Sequence, residues 1–599
     1  MKVSQGATSF TVRSYFSRPN GGMLYLGNPP AGANNELWNV AVLGGGDQYM
    51  VIGSNTTYTL TRTIAVHPNR IEISDTFRNP GSETRGVRFG NEIVAPDAAT
   101  GRVAGVLAGQ SGSSLNAPER PFVQVMKTGL SLGMVARDDT YRNQSVSYYA
   151  PADGSYGIRD DNFGLRGGGS YTTRWELYPT DSPDPFDFYN AVRAEWGTAS
   201  ATIPGLFAFI YPQRTWRKNG KTLEQMTVQE MEDWLETTGI QTVCFTVRDD
   251  LEAGNIEAFG SRYLASEASK SYWRPIIQRL RQAKPGLKAA PYFHLGADVP
   301  NDPELTGSRM ILLGGLQKAF TNSNGITRWY YYPAAASAFA VRMRRVFDAV
   351  LSDFKTDAFY WDEYSYGLRS EYLEGADWDG SSVVINPSNN TVIKQVTLTS
   401  MATRNLREQW TKDLLDRGMT VWTNWQPTTE QDTARNLPHF LEYFFAGDAA
   451  ARGYLASPIQ LNADGNPTSN AEVLAAVRKF LEAGLLYAHI GSGAYAEVSP
   501  SILAHFYPIT PKELHAGYVI GRERIVTSVT GAFGFGNSRT LTAYIYNQAG
   551  RLKADAGRTV MANGKMYQLV VLAANEVAVI EPEPRERSVP DGAPGPRPQ

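Results

Sequence analysis

The sequence predicts a multidomain protein in which an antiparallel β-sandwich leads into a central (β/α)8 barrel and a small β-sandwich follows. Three observations predict it. From Met1 to about Gly197 there is almost no helical period. From about Ile203 to His515 short apolar strands alternate with long amphipathic helices, and from about Tyr518 to Glu581 the pattern returns to strands. The expected units are 1–197, 198–516 and 517–582, with a Pro-, Arg- and Glu-rich tail at 583–599 whose composition predicts disorder. A chain of 599 residues exceeds one ordinary core, which agrees with several units.

In the first unit, short runs rich in β-branched and aromatic residues, such as Thr57 to Val66 and Arg70 to Phe77, predict strands. Turn residues separate them, as at Asn20-Gly21-Gly22, Asn79-Pro80-Gly81 and Gly167-Gly168-Gly169. Thr172 to Pro179 reads as the last strand, and a short helix around Asp187 to Glu195 leads out.

The second unit opens with a strand at Leu206 to Tyr211. A helix follows at Thr227 to Thr237, where Thr227 with Glu230 three residues on forms a capping box. Strands at Ile240 to Val247, Leu287 to His294, Ala358 to Asp362, Thr420 to Asn424 and His439 to Phe445 come second to sixth. Helices at Ser261 to Gln282, Ala338 to Phe354, Thr399 to Arg417 and Ala471 to Ala483 alternate with them. Leu485 to Ile490 is the expected seventh strand and Leu503 to Tyr507 the expected eighth. Alternation sustained for about eight rounds, with no glycine-rich nucleotide fingerprint after the first strand, points to a closed TIM barrel rather than an open sheet. In the third unit, Thr540 to Tyr546, Met566 to Leu572 and Glu576 to Ile580 read as strands of a small sandwich.

Composition excludes several classes. A net charge of −2 supplies no field to draw the chain onto nucleic acid or an anionic membrane, and neither is an expected partner. The single cysteine, Cys244, excludes a disulfide framework and a cysteine metal cluster. With 6 histidines and no HExxH motif, no catalytic metal and no cofactor are expected, although loop carboxylates leave room for a structural calcium. Met1 to Arg13 lacks the apolar core of a signal peptide, so localisation is open and export would need a signal outside this sequence. Oligomeric state is not readable.

In barrels of this kind the reacting groups sit at the C-terminal ends of the strands. That rule selects Arg248, Asp249 and Asp250 after the second strand, His294 and Asp298 at the third, Tyr360 to Tyr366 at the fourth, with Trp361 and Tyr364 among them, Asn424 and Trp425 at the fifth, Glu442 at the sixth and His489 at the seventh. Phe359-Tyr360-Trp361-Asp362-Glu363-Tyr364 carries two adjacent acids. Strand alternation allows one of them to face the barrel axis, and Asp362, sharing a face with Tyr360, is favoured over Glu363. Glu442 lies inside the apolar run Phe440 to Phe445, where a carboxylate is costly unless paired or used, and where burial raises its pKa toward that of a general acid.

Two carboxylates across a cleft are the working parts of glycoside hydrolysis. Asp362 is the expected nucleophile and Glu442 the expected acid/base, in a retaining enzyme acting on an oligo- or polysaccharide. Glu363, His294, Asp249, Asp250, Trp361, Tyr364, Asn424, Trp425 and His489 are the expected substrate-binding residues. The alternatives are an inverting enzyme using Glu363 in place of Asp362, and a non-catalytic carbohydrate-binding or adhesion protein on the same scaffold. The carboxyl separation would decide between retention, at about 5–5.5 Å, and inversion, at about 6.5–9.5 Å.

An Asp after the fourth strand and a Glu after the sixth, behind a large β-sandwich and before a β unit, resemble the endo-α-N-acetylgalactosaminidase and dextranase type of retaining α-glycosidase. The α-galactosidase and α-glucosidase clan is similar in layout but uses Asp at both places, from which Glu442 departs. The resemblance covers domain order and these two positions; the preference for α-linked sugars is implied by it alone.

Overall fold

The computed structural model describes the chain apart from residues 6–7, 19–20, 27–38, 55–56, 99, 110–113, 213–214, 217–218, 246–266, 299–301, 322–324, 326, 335, 366–370, 376, 444–454, 463–468, 488, 492–501, 554–556 and 584–599. The side chains of residues 5, 39, 442–443, 460–462 and 489–491 also lie outside the described set.

The N-terminal region forms a seven-stranded and a nine-stranded antiparallel sheet. They share one core: Phe16, Phe89 and Phe163 of the first sheet meet Phe77, Leu132 and Trp175 of the second, with Phe77 and Phe89 rings 5.4 Å apart. Alternation of buried and half-buried residues along Ile71–Arg78 is the expected signature of a strand packed on one face. Ser170–Thr180 is the strand from which the chain leaves, into the helix Pro185–Trp196. Asp184 caps that helix by accepting from the Phe186 N–H, and Gly197, at φ 77°, ends it in the left-handed conformation that glycine adopts without steric cost.

The central region is built on a parallel sheet of nine strand segments. Leu206–Ile210, Ile240–Phe245, Lys288–His294, Ala358–Asp362, Thr420–Asn424, His439–Tyr443 and Ile459–Asn462 follow one another in space as in sequence. The next passage of chain contributes at both ends of that order: Leu486–Tyr487 pairs with Ile459–Asn462, and His489–Gly491 pairs with Leu206–Ile210. Helices cover one face. Ala338–Phe354 buries Phe339, Met343, Val346, Phe347, Val350 and Phe354, a stripe at helical spacing. Val228–Thr238 carries the expected capping box at Thr227 and Glu230.

Two strand positions differ from the sequence reading. Ile459–Asn462 is a strand that the sequence did not suggest, and it takes the seventh position. Leu486–Tyr487 and His489–Gly491 therefore fall eighth, and most of the expected eighth strand, Leu503 to Tyr507, lies in the 3-10 helix Ile502–Phe506. The cause is length: four residues after a proline carry too little period to register, and pairing with the strands on either side reveals them.

A short N-terminal helix, Asp139–Gln144, was also not anticipated, and its side chains are buried against the central region. Arg142 donates to the Pro427 carbonyl (2.9 Å) and to Thr433 (3.1 Å), and Asn143 to the Thr428 carbonyl (2.9 Å). These bonds brace the loop that follows Asn424. The C-terminal region forms a five-stranded and a three-stranded antiparallel sheet. No described helix is long and apolar enough to cross a membrane.

Candidate active site

The face of the parallel sheet opposite the described helices is filled by aromatic rings. Phe207 packs on Tyr360 at 5.3 Å and on Phe440 at 5.0 Å, while Trp422 stacks on Phe440 at 4.9 Å. Above them Phe209 and Tyr292 pack on Tyr360 at 5.0 and 5.6 Å. These rings form a floor, and Trp422 belongs to it as packing.

Alternation along the fourth strand then sorts its side chains. Phe359 and Trp361 turn toward the helices, against Phe347 (5.3 Å) and Trp410 (6.2 Å). Tyr360 and Asp362 take the opposite face. Asp362 is half-buried at the strand end, directly above the aromatic floor. Its neighbours come from the flanking strands. Tyr292 on the third donates its hydroxyl to Oδ2, and Asn424 on the fifth donates Nδ2 to Oδ1 at 2.7 Å. The Trp425 N–H occupies Asn424 Oδ1 (3.0 Å), which fixes the amide with its donor toward Asp362. Both carboxylate oxygens are thus held, and the group has one orientation.

Glu363 departs from the strand rule. Its φ of +47° is left-handed, a conformation that costs a non-glycine residue about 1–2 kcal/mol. The kink breaks alternation and carries the Glu363 carboxylate to His294, whose Nε2 lies 3.1 Å from it. His294 is two residues beyond Tyr292 and shares its face. The expectation that only one of the two acids reaches this side is therefore corrected: both converge on it. Trp425, the residue after Asn424, is also left-handed at φ 75° and half-buried. Non-glycine strain at the ends of adjacent strands is the kind that accumulates around functional sites.

His294 is buried. Burial disfavours its charge, Glu363 and then Asp362 favour it, and the balance raises its pKa above the ordinary histidine range. The Gly296 N–H, donated to Nδ1 at 3.1 Å, pulls the other way, since a proton there would have to displace it. Tyr330 lies edge-on to His294 at 5.9 Å, and Lys318 sits over the Tyr330 ring at 4.5 Å while pairing with Glu371 at 2.5 Å. Arg328 belongs to the same surroundings: burial lowers its pKa, against the fields of Tyr330, Asp362 and Glu363. Burial, then the charge of Asp362, holds the Cys244 thiol protonated.

Of the residues selected from sequence, the structure brings together Asp362, Glu363, His294, Asn424 and Trp425. Trp361 and Tyr364 are corrections. Trp361 is 1% exposed among helix side chains. The Tyr364 hydroxyl lies 3.1 Å from Thr411 and 3.2 Å from Asp432, inside a buried network closed by the Arg407–Asp432 pair at 2.7 Å. The backbones of Glu442 and His489 lie on the sixth and eighth strand positions, paired with Leu461 and Phe207, while their side chains fall outside the described residues, as do Asp249 and Asp250 entirely. Among the described residues no group of three or more His, Cys, Asp or Glu is placed to hold a metal ion.

Tyr292, Lys318 and Arg328 were missed. The signal for Tyr292 was present, since it alternates with His294 along one strand. Lys318 and Arg328 lie in the segment between the third strand and the following helix, where spacing carries no information about contacts.

No protein-family model and no curated protein matches the chain. Solved structures do. A GH31-family sulfoquinovosidase from E. rectale, solved with an aza-sugar inhibitor, is similar with a TM-score of 0.52 at 7% identity, over 98% of this chain and 96% of that one. An α-N-acetylgalactosaminidase from Bifidobacterium bifidum is similar with a TM-score of 0.50 at 11% identity, over 88% of this chain and 97% of that one. The chain thus shares a fold with these two glycosidases along almost its whole length.

Proposed function

We propose that the protein is a glycoside hydrolase acting on α-linked oligo- or polysaccharides, with Asp362 as nucleophile and Glu442 as acid/base. In this reading the parallel sheet is a closed (β/α)8 barrel between the units 1–197 and 517–582. The observation that carries it is the Asp362 carboxylate at the end of its strand, with Tyr292 on one oxygen and Asn424 on the other. A carboxylate so held is preorganised for in-line attack, because no side-chain rotation remains to be frozen as the bond forms.

In the retaining course, an Asp362 oxygen forms a bond to the anomeric carbon as the bond to the leaving oxygen breaks. Glu442 gives its proton to that oxygen. Glu442 then takes a proton from water, whose oxygen attacks the anomeric carbon and releases Asp362. Glu363 and His294 form a paired acceptor and donor beside the nucleophile, suited to a substrate hydroxyl; Trp425 supplies a half-exposed ring for a sugar face. No step draws on a cofactor. One of the two similar structures named above is by its description an α-N-acetylgalactosaminidase, which favours that anomer.

The test is hydrolysis of aryl α- and β-glycosides by the wild type, Asp362→Asn and Glu442→Gln, with the product anomer read by NMR. Loss of α-glycoside hydrolysis in both variants is expected, with the α anomer formed first. Unchanged hydrolysis in both would reject the pair, and binding without any cleavage by the wild type would favour a carbohydrate-binding protein.

A further inference from the structure

The insertion after Asp362 sends out a hairpin, Val383–Ile385 with Val392–Gln395, whose tip lies against the N-terminal sandwich. Two glycines permit the approach. A Cβ at Gly86 would lie 2.8 Å from the Asn390 carbonyl oxygen, and one at Gly21 2.5 Å from that of Ser388. Beside this contact the two parts line a cavity of ≈ 460 Å³ that is half open to solvent, a size typical of small-molecule sites. It shares no lining residue with the candidate active site.

The lining is polar and electrically balanced. Asn390, 6% exposed, donates Nδ2 to the carbonyls of Arg18 (2.7 Å) and Gly22 (3.3 Å). Those two acceptors fix the amide, so the atom left buried without a donor is Oδ1. Gln395 and Thr84 pair at 3.3 Å, and Glu83 and Arg85 stand exposed with opposite charge. A third charge, Lys394, is neutralised by Glu374 at 2.9 Å.

We infer that this cavity is a second binding site, for a neutral pyranose sugar. Balanced charge selects neither an anion nor a cation. Interleaved donors and acceptors match vicinal hydroxyls, each of which both gives and takes a hydrogen bond. Asn390 Oδ1, buried without a donor, needs one. The inference concerns residues outside the candidate active site and stands whether or not Asp362 is a nucleophile.

The experiment is saturation-transfer NMR on the full chain carrying Asp362→Asn, with D-glucose, D-galactose and N-acetyl-D-galactosamine as separate probes. Glu83→Ala/Arg85→Ala and Gln395→Ala alter exposed residues, and a circular-dichroism melt checks that each folds. Binding of at least one probe should weaken about tenfold in the double variant, the loss expected for one charge-assisted hydrogen bond. Equal binding of every probe to all variants, or no binding to the parent, would overturn the assignment. With Asp362 restored, aryl α-glycoside hydrolysis should be unchanged by the cavity substitutions, so a failure here is distinguishable from a failure of the glycosidase reading.

Discussion

Removing the Tyr292 hydroxyl gives the sharpest access to the candidate nucleophile. The hydroxyl donates to Asp362 Oδ2, while Asn424 holds Oδ1 at 2.7 Å, so Tyr292→Phe deletes one of two bonds to the same carboxylate. The ring is retained, and with it the 5.6 Å packing on Tyr360, so the perturbation is confined to one oxygen atom. A hydrogen bond to a charged group contributes about 1.5–3 kcal/mol. Where that bond positions the nucleophile in the transition state, kcat/KM on an aryl α-glycoside falls by about 10- to 150-fold. Tyr292→Phe added to Asp362→Asn should cause little further loss, because the bond it removes no longer serves a nucleophile. A decrease smaller than twofold in the single variant, with a folded protein, would mean that the Asp362–Tyr292 contact has no part in the reaction.

Trp361→Ala should lower stability by about 3–5 kcal/mol and leave KM near the wild-type value, because the ring is buried against Trp410; a urea midpoint and steady-state kinetics separate the two effects. Arg407→Ala strips the buried Asp432 carboxylate of its cation, at an expected cost of about 3–5 kcal/mol, read as a lowered urea midpoint. His439 is pushed down to about 4 by burial, so the folded protein resists a proton that the unfolded chain accepts near pH 6.5. Its contribution is complete above pH 6.5 and is lost as pH falls toward 4, about 3 kcal/mol across the window. His439→Gln should flatten that part of the stability–pH curve, and an unchanged slope would show that another group governs it.

Local pattern carried far in this chain. The helix Ala338–Phe354 and the strands Ala358–Asp362 and Thr420–Asn424 were readable to the residue, because each combines a clear apolar period with a cap or turn at its ends. Asp362 and Asn424 could be selected for the same reason: a parallel strand places its C-terminal residue at the edge where loops and reactive groups collect. What that pattern lacked was neighbourhood. Ile459–Asn462 became a strand only through pairing with His439–Tyr443 and Leu486–Tyr487. Tyr292 became a partner of Asp362 only because the third and fourth strands run side by side, with His294 opposite Asp362.

Glu363 is the clearest case. Alternation assigned it to the helix side, and a single left-handed φ brought it back to His294. Side-chain period is a property of regular backbone, so sequence can state which face a residue takes only while the strand continues. At the strand end, where the chemistry is concentrated, the backbone leaves that regularity, and only contacts across the sheet decide where each carboxylate stands.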